Sequence, residues 1–168
     1  MLCAIAKLSA EAAEKLNTLR NKILSEEQNR SPLYGHITLA TWLPEDDAVF
    51  AEACEAMLRG IRAFTVRYEK IEVLKQTSIL VATPAKSEEL SALHSMLAGK
   101  FSDSLDQWTR DDTWYPHTTL LHDPAADLDS LCRAARKLFV PFEARIRRIE
   151  LSKVGSSGYT ILKSIRLD

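Results

Sequence analysis

The chain of 168 residues predicts an α+β fold. We expect two lobes, each a mainly antiparallel sheet with helices on its outer face, related by a pseudo-twofold axis through a central groove. Three observations carry this. The order strand, helix, histidine-bearing strand, helix, long strand occurs twice. The stretch "RYEKIEVLK" at 67–75 aligns with "RIRRIELSK" at 145–153 at an offset of 78, and Cys54 aligns with Cys132 at the same offset. Finally, "HITL" at 36–39 returns as "HTTL" at 117–120. That offset is 81, so one connection is three residues shorter in the second copy. A divergent internal duplication explains all three, and a single domain over 1–168 accommodates both copies.

"MLCAIAKL" reads as a short strand. Ser9 caps a helix with Glu11 in its first turn and Ala12, Leu16, Leu19 and Ile23 on one face. "SEEQNRSPLYG" is a loop by its polar, proline and glycine content, and "HITLATWL" is a strand. A second helix opens over Pro44–Asp47 with Phe50, Cys54, Met57 and Ile61 as its stripe. Residues 63–75 and 77–83 form two strands with a tight connection at Gln76. A helix from Ser87 turns Leu90, Leu93, Leu97 and Phe101 inward, with His94 at the edge of that face. "DQWTRDDTWYP" is a loop, "HTTLL" a strand, and Leu128, Leu131, Cys132, Ala135 and Leu138 mark the last helix. Two strands, 141–153 and 159–167, close the chain around the turn signal "GSSG". In both long strands the apolar parity switches at one place. Val66 and Tyr68 give way to Ile71 and Val73, and Ala144 and Ile146 to Ile149 and Leu151. An alternation changes face only through an extra residue, so each long strand should carry a bulge there.

Composition narrows the function. Hydrophobic residues make up 46% and charged residues 27%, which is ordinary for a globular chain with a core. The net charge is −1, so no global basic field exists to coat duplex nucleic acid, while a nucleotide or an RNA terminus remains open. Cys3, Cys54 and Cys132 are odd in number and widely spaced. They argue against a disulfide framework or a zinc site, and for a cytoplasmic location. "MLCAIA" is too short for a signal peptide, and no run reaches membrane-spanning length. We expect a monomer.

Strand alternation puts His36 and Thr38 on one face and Ile37 and Leu39 on the other; His117 and Thr119 are likewise opposed to Thr118 and Leu120. If a pseudo-dyad passes between the two strands, two imidazoles and two hydroxyls line one groove. That set suits in-line displacement at a phosphodiester. A neutral imidazole takes a proton from water or a ribose hydroxyl, and an imidazolium gives one to the leaving oxygen. An ordinary pKa of about 6.5 leaves both forms accessible near neutrality. Threonine hydroxyls can donate to the non-bridging oxygens, and no metal is needed. Each histidine alone could be a strand residue satisfied by its neighbours; the repeat-matched pair is what favours chemistry.

On these residues the chain resembles the 2H phosphoesterase superfamily, which includes 2′-5′ RNA ligases and cyclic nucleotide phosphodiesterases. The resemblance rests on the paired His-x-Thr-x motifs, their separation, the duplicated lobes and the "YPH" run-in at 115–117. It implies catalytic His36 and His117, phosphate-binding Thr38 and Thr119, and opening of 2′,3′-cyclic or related cyclic and 2′-5′ diesters without metal or cofactor. Two features depart from the family pattern. Many relatives carry an arginine soon after the second motif, where this chain has Leu121, His122 and Asp123, and position 118 is threonine rather than a large apolar residue. The phosphate-neutralising charge is therefore unassigned.

Tyr34 and Tyr115, each two residues before a motif histidine, either stack a base, bond phosphate or cap the sheet edge. Trp108 and Trp114 either stack a base or anchor their loop. Lys75 and Lys153, at matching strand ends, are either solvated or the missing charge. His122 stands at an odd separation from His117, which weakens a shared metal site. Cys54 and Cys132 fit as small buried residues in helix stripes. The rival functions are a module of the same fold that binds a nucleotide or RNA end without turnover, and a metallohydrolase, for which neither motif has a carboxylate at ligand spacing.

Overall fold

A computed structural model describes residues 1–30, 32–43, 46–155 and 158–168. The elements alternate as expected: β1 (Leu2–Leu8), α1 (Ala10–Ile23), β2 (His36–Trp42), α2 (Asp47–Leu58), β3 (Phe64–Val73), β4 (Ile79–Pro84), α3 (Glu88–Lys100), β5 (Thr118–His122), α4 (Leu128–Leu138), β6 (Phe142–Gly155) and β7 (Gly158–Arg166). Two short 3₁₀ turns, Ser102–Ser104 and Gln107–Thr109, lie in the loop before β5.

The caps follow from sequence. Ser9 accepts from Ala12 N at 3.4 Å and Ser87 from Leu90 N at 3.1 Å, each satisfying an orphan donor of its helix. Asp46 caps α2; the start expected at Pro44 lies outside the described residues, as do Ser156 and Ser157 of the final turn. Gln76 adopts φ +60° in the tight connection between β3 and β4. Two helix faces differ from expectation. Leu58 rather than Met57 is buried in α2, and Leu138 at the end of α4 is exposed.

The two expected sheets are joined into one. The order is β2-β1-β6-β3-β4-β5, with β7 on the free part of β6, and every pairing is antiparallel. The join is made by the first halves of the long strands, from Phe64↔Ile146 to Tyr68↔Phe142. In this register Val66 faces Ala144, the one pair whose members stand 78 residues apart. Beyond it the strands diverge, β6 pairing with β1 and β3 with β4.

Both expected bulges are present. Tyr68 and Lys70 pair with consecutive residues of β4, leaving Glu69 over, and Arg147 is left over between Arg148 and Ile146 opposite β1. A second matched set lies in the motif strands, where Leu39 and Leu120 are skipped. Strand residues such as Ile37, Leu39, Leu120, Ile149 and Leu151 are buried with Leu16, Leu90, Leu93, Leu97 and Ala135 of the helices. The polar motif residues therefore project from the other side of their strands.

Candidate active site

His36 opens β2 and His117 immediately precedes β5, at the two outer strands of the sheet. The sheet nevertheless brings them together. Thr118 Oγ, buried, donates to the His36 carbonyl at 2.8 Å and lies 2.5 Å from the Tyr68 hydroxyl. This gives the departure at position 118 its reason: an apolar side chain there could not tie the two motif strands together. The run-in to His36 is equally constrained. Gly35 has φ +61°, and a Cβ there would stand 2.7 Å from Ala13 Cβ, so only glycine fits.

The imidazoles sit in different fields. Burial, then the Lys7 ammonium, then His117 push His36 down to about 4. Lys7 is its direct cross-strand partner, and His36 Nδ1 is buried with no hydrogen-bond partner among the described residues. Burial also lowers His117, but the Tyr115 carbonyl and the Glu72 carboxylate oppose it. His117 Nδ1 lies 2.7 Å from that carbonyl. A carbonyl only accepts, so Nδ1 carries hydrogen and Nε2 is the nitrogen that can gain or lose a proton.

The tyrosines flank this pair symmetrically. The Tyr34 hydroxyl donates to Glu150, and the Tyr115 hydroxyl to Glu72 at 2.6 Å. Burial and Glu150 push Tyr34 up to about 12, so it stays protonated. Glu72 also accepts from Thr83 Oγ at 2.7 Å and pairs with Lys70 at 3.0 Å. Sequence reasoning missed both carboxylates, although they stand 78 residues apart inside the aligned "IEVLK" and "IELSK". It also missed Lys7, Lys70 and Arg148 as the cations that stand beside these groups. Lys153 pairs with Asp47 of α2, and Lys75 is exposed beyond the end of β3.

Of the threonines, Thr119 is exposed, whereas the Thr38 hydroxyl acts on the buried Cys3 thiol, which burial pushes up to about 11. Tyr159 of β7 completes the His36 side, its ring centroid 6.3 Å from the imidazole.

Behind the site, each bulge frees a carbonyl and a helix captures it. His94 Nδ1, 2% exposed, donates to Leu39 O at 2.6 Å, and Arg20 Nε donates to Leu120 O at 2.9 Å. His94 is thus fully buried rather than at a face edge. It stacks on Trp114 at 3.9 Å, and the Trp114 indole donates to Thr38 O at 2.9 Å. Trp114 is an anchor, while Trp108 is 68% exposed. His122 ends β5 on the surface. Among the described residues no three His, Cys, Asp or Glu side chains are grouped to hold a metal. Clefts of about 550 and 790 Å³ open elsewhere, beside α1 and beside Phe101, and contain no motif residue. The chemistry of the side chains, not concavity, singles out the histidine surface.

The profile of the 2′-5′ RNA ligase superfamily matches residues 8–157. The chain belongs to this superfamily. No curated protein is similar enough in sequence to count as a relative, but solved structures are similar in fold. One is E. coli LigT complexed with 3′-AMP, 23% identical, with 99% of this chain and 97% of LigT covered and a TM-score of 0.69. A phosphoesterase at 20% identity covers the same shares with the same score. A Thermus thermophilus protein, also 20% identical over 99% and 97%, scores 0.62. The chain is thus a 2′-5′ RNA ligase superfamily member with the LigT-like fold. No helix among the described residues is long and apolar enough to cross a membrane.

Proposed function

We propose that this protein is a metal-independent phosphodiesterase that opens 2′,3′-cyclic or related cyclic and 2′-5′ phosphodiesters at a nucleotide or RNA end. The observation that carries the proposal is the unequal setting of two adjacent imidazoles. Burial, with Lys7 and His117 adding to it, pushes His36 down and suits it to be the base. Burial lowers His117 as well, but the Tyr115 carbonyl and Glu72 oppose that shift, which makes it the better placed of the two to carry the acid's proton.

In the forward reaction water attacks phosphorus as His36 takes one of its protons. The ring P–O bond opposite breaks, and His117 delivers its proton to the departing ribose oxygen. The product is a phosphomonoester with a free hydroxyl, and proton exchange with solvent resets both imidazoles. Thr119, exposed beside His117, and Thr38 donate to the non-bridging oxygens. For Thr38 this means turning its hydroxyl from Cys3. The superfamily match and the LigT complexes with 3′-AMP, ATP and NADP+ support a nucleotide as the substrate class.

The test is product analysis of 2′,3′-cyclic nucleotides incubated with the protein and EDTA. Ring opening that survives the chelator and disappears in His36→Ala and His117→Ala is expected. Ring opening that stops with EDTA, or binding without any turnover, overturns the proposal.

A further inference from the structure

A row of cations runs away from His36 in one direction only. Lys7 faces His36 across β1–β2, Arg148 faces Lys7 across β1–β6, and Arg166 faces Arg148 across β6–β7. Residues directly opposite in antiparallel pairs share a face, so His36, Lys7, Arg148 and Arg166 form one line on the histidine side. At about 4.8 Å per strand, three steps span about 14 Å.

Like charges placed directly opposite are destabilising, and here three stand in succession. Burial is the first cause that lowers the pKa values of Lys7 and His36, and the row adds to it, Arg148 acting on Lys7 and Lys7 on His36. Glu150, buried and bonded to Tyr34, offsets part of this beside Lys7. Arg148 and Arg166 are exposed and form no ion pair among the described residues.

The other half lacks the row. Thr83 stands opposite Lys70 where Lys7 stands opposite Arg148. Lys70 is paired with Glu72 and donates to the Tyr115 hydroxyl, each at 3.0 Å. Lys7 instead donates to the Tyr34 carbonyl and lies over the Tyr34 ring, with no carboxylate paired to it among the described residues. Among the described residues nothing corresponds to Arg166, because β7 has no counterpart beside β3 there.

We propose that Lys7, Arg148 and Arg166 form a subsite for further phosphates of a single-stranded oligonucleotide, whose strand leaves the histidine pair across β1 and β6 toward β7. The substrate is then an RNA end rather than a mononucleotide. This rests on the proposed phosphodiesterase reading, since His36 is where the reacting phosphate sits. Anions along the row remove the repulsion that the free protein carries.

The test is equilibrium binding of a trinucleotide RNA ending in a 3′-phosphate, compared with the mononucleoside 3′-phosphate, at several salt concentrations. Neither probe can be turned over by ring opening, so the result does not depend on catalysis. For three neutralised anions the trinucleotide should show a slope of log K on log salt of about −2, against about −0.7 for the mononucleotide. Arg166→Gln and Arg148→Gln should each flatten the trinucleotide slope by roughly 0.7 to 1. Lys75→Gln, an equal loss of charge off the row, should leave it alone. Equal slopes for the two probes overturn the subsite, as does an effect of Lys75→Gln as large as that of Arg166→Gln. Turnover of cyclic mononucleotides together with equal slopes sinks this inference alone; absence of turnover together with a steep, Arg166-dependent slope sinks only the phosphodiesterase reading.

Discussion

Replacing Lys7 with glutamine should raise the pKa of His36 and carry the acid limb of the pH–rate profile upward with it. The two residues are direct cross-strand partners. Their Cβ atoms are therefore about 5 Å apart, where a unit charge is worth about 0.8 kcal/mol in water and about 3 kcal/mol at an effective dielectric of 20. At 1.36 kcal/mol per unit this is roughly 0.6 to 2.4 pH units. Burial is the larger cause of the depression and remains, so His36 should move from about 4 toward, but not past, its ordinary 6.5. A base works only when neutral, so the rate falls as pH drops through this pKa, and in the variant the fall begins at higher pH. The basic limb should stay, because Lys7 is not among the groups that shift His117. The assay is kcat/KM for a 2′,3′-cyclic nucleotide across pH, with imidazole NMR titration to assign the limb, since two coupled histidines titrate as a pair. Lys7 also lies on the cation row, so KM should rise; the position of the limb is the diagnostic quantity. An acid limb that stays put, or a basic limb that moves instead, refutes the assignment of His36 as base.

His36→Ala and His117→Ala should each lower the rate by about 10²–10⁴, with the double variant losing less than the product, measured by steady-state kinetics with and without chelator. Thr38→Ala and Thr119→Ala should each cost less than either histidine, because proton transfer survives them. Stability should fall between pH 6.5 and about 4. In that window the unfolded chain binds a proton on His36 that the folded state refuses, so unfolding is favoured as pH drops, by about 3 kcal/mol at most. Thermal melts should show the slope in wild type and a shallower one in His36→Gln. His94→Phe keeps a ring against Trp114 but leaves the Leu39 carbonyl unpaired. It should cost about 1–3 kcal/mol in denaturant unfolding and lower the rate by loosening β2.

The motif histidines and the bulges were legible because each appears twice. One "HITL" is uninformative, and one parity switch could be noise, but matched copies at fixed offsets are neither. The union of the two sheets was not legible. Periodicity says which face of a strand is buried, never which strand lies beside it, and the Phe64–Tyr68 pairing with Phe142–Ile146 is a long-range choice. The same limit hid the charges. Lys7 looks like the polar end of a short strand until the β1–β2 register sets it opposite His36. The parity switch puts Glu72 and Glu150 on the face opposite Ile71 and Ile149, but their partners, Tyr115 and Tyr34, lie on separate segments that no local pattern brings to them. Lys153 was drawn off by Asp47 in the first turn of α2, a contact between elements that no local pattern contains.

Matched motif strands pose a chemical difficulty that the charges resolve. Two imidazoles in matched surroundings would have matched affinities for protons, whereas general acid–base catalysis needs one neutral and one charged at the same pH. The backbone here keeps the match: equal bulges, equal tyrosine–carboxylate pairs, and a captured carbonyl behind each motif. Inequality enters through side chains and through one backbone contact, the Tyr115 carbonyl on His117 Nδ1, which has no counterpart at His36 Nδ1 among the described residues. Lys7 stands where the other half has Thr83, and the cation equivalent to Arg148 is quenched by Glu72 and Tyr115. One field therefore expels a proton from His36 while the other tolerates it on His117. The strand that breaks the symmetry outright, β7, adds Arg166 and Tyr159 to the His36 side. The excess positive charge that adds to burial in keeping the base neutral is thus the charge available to hold the remainder of an anionic substrate.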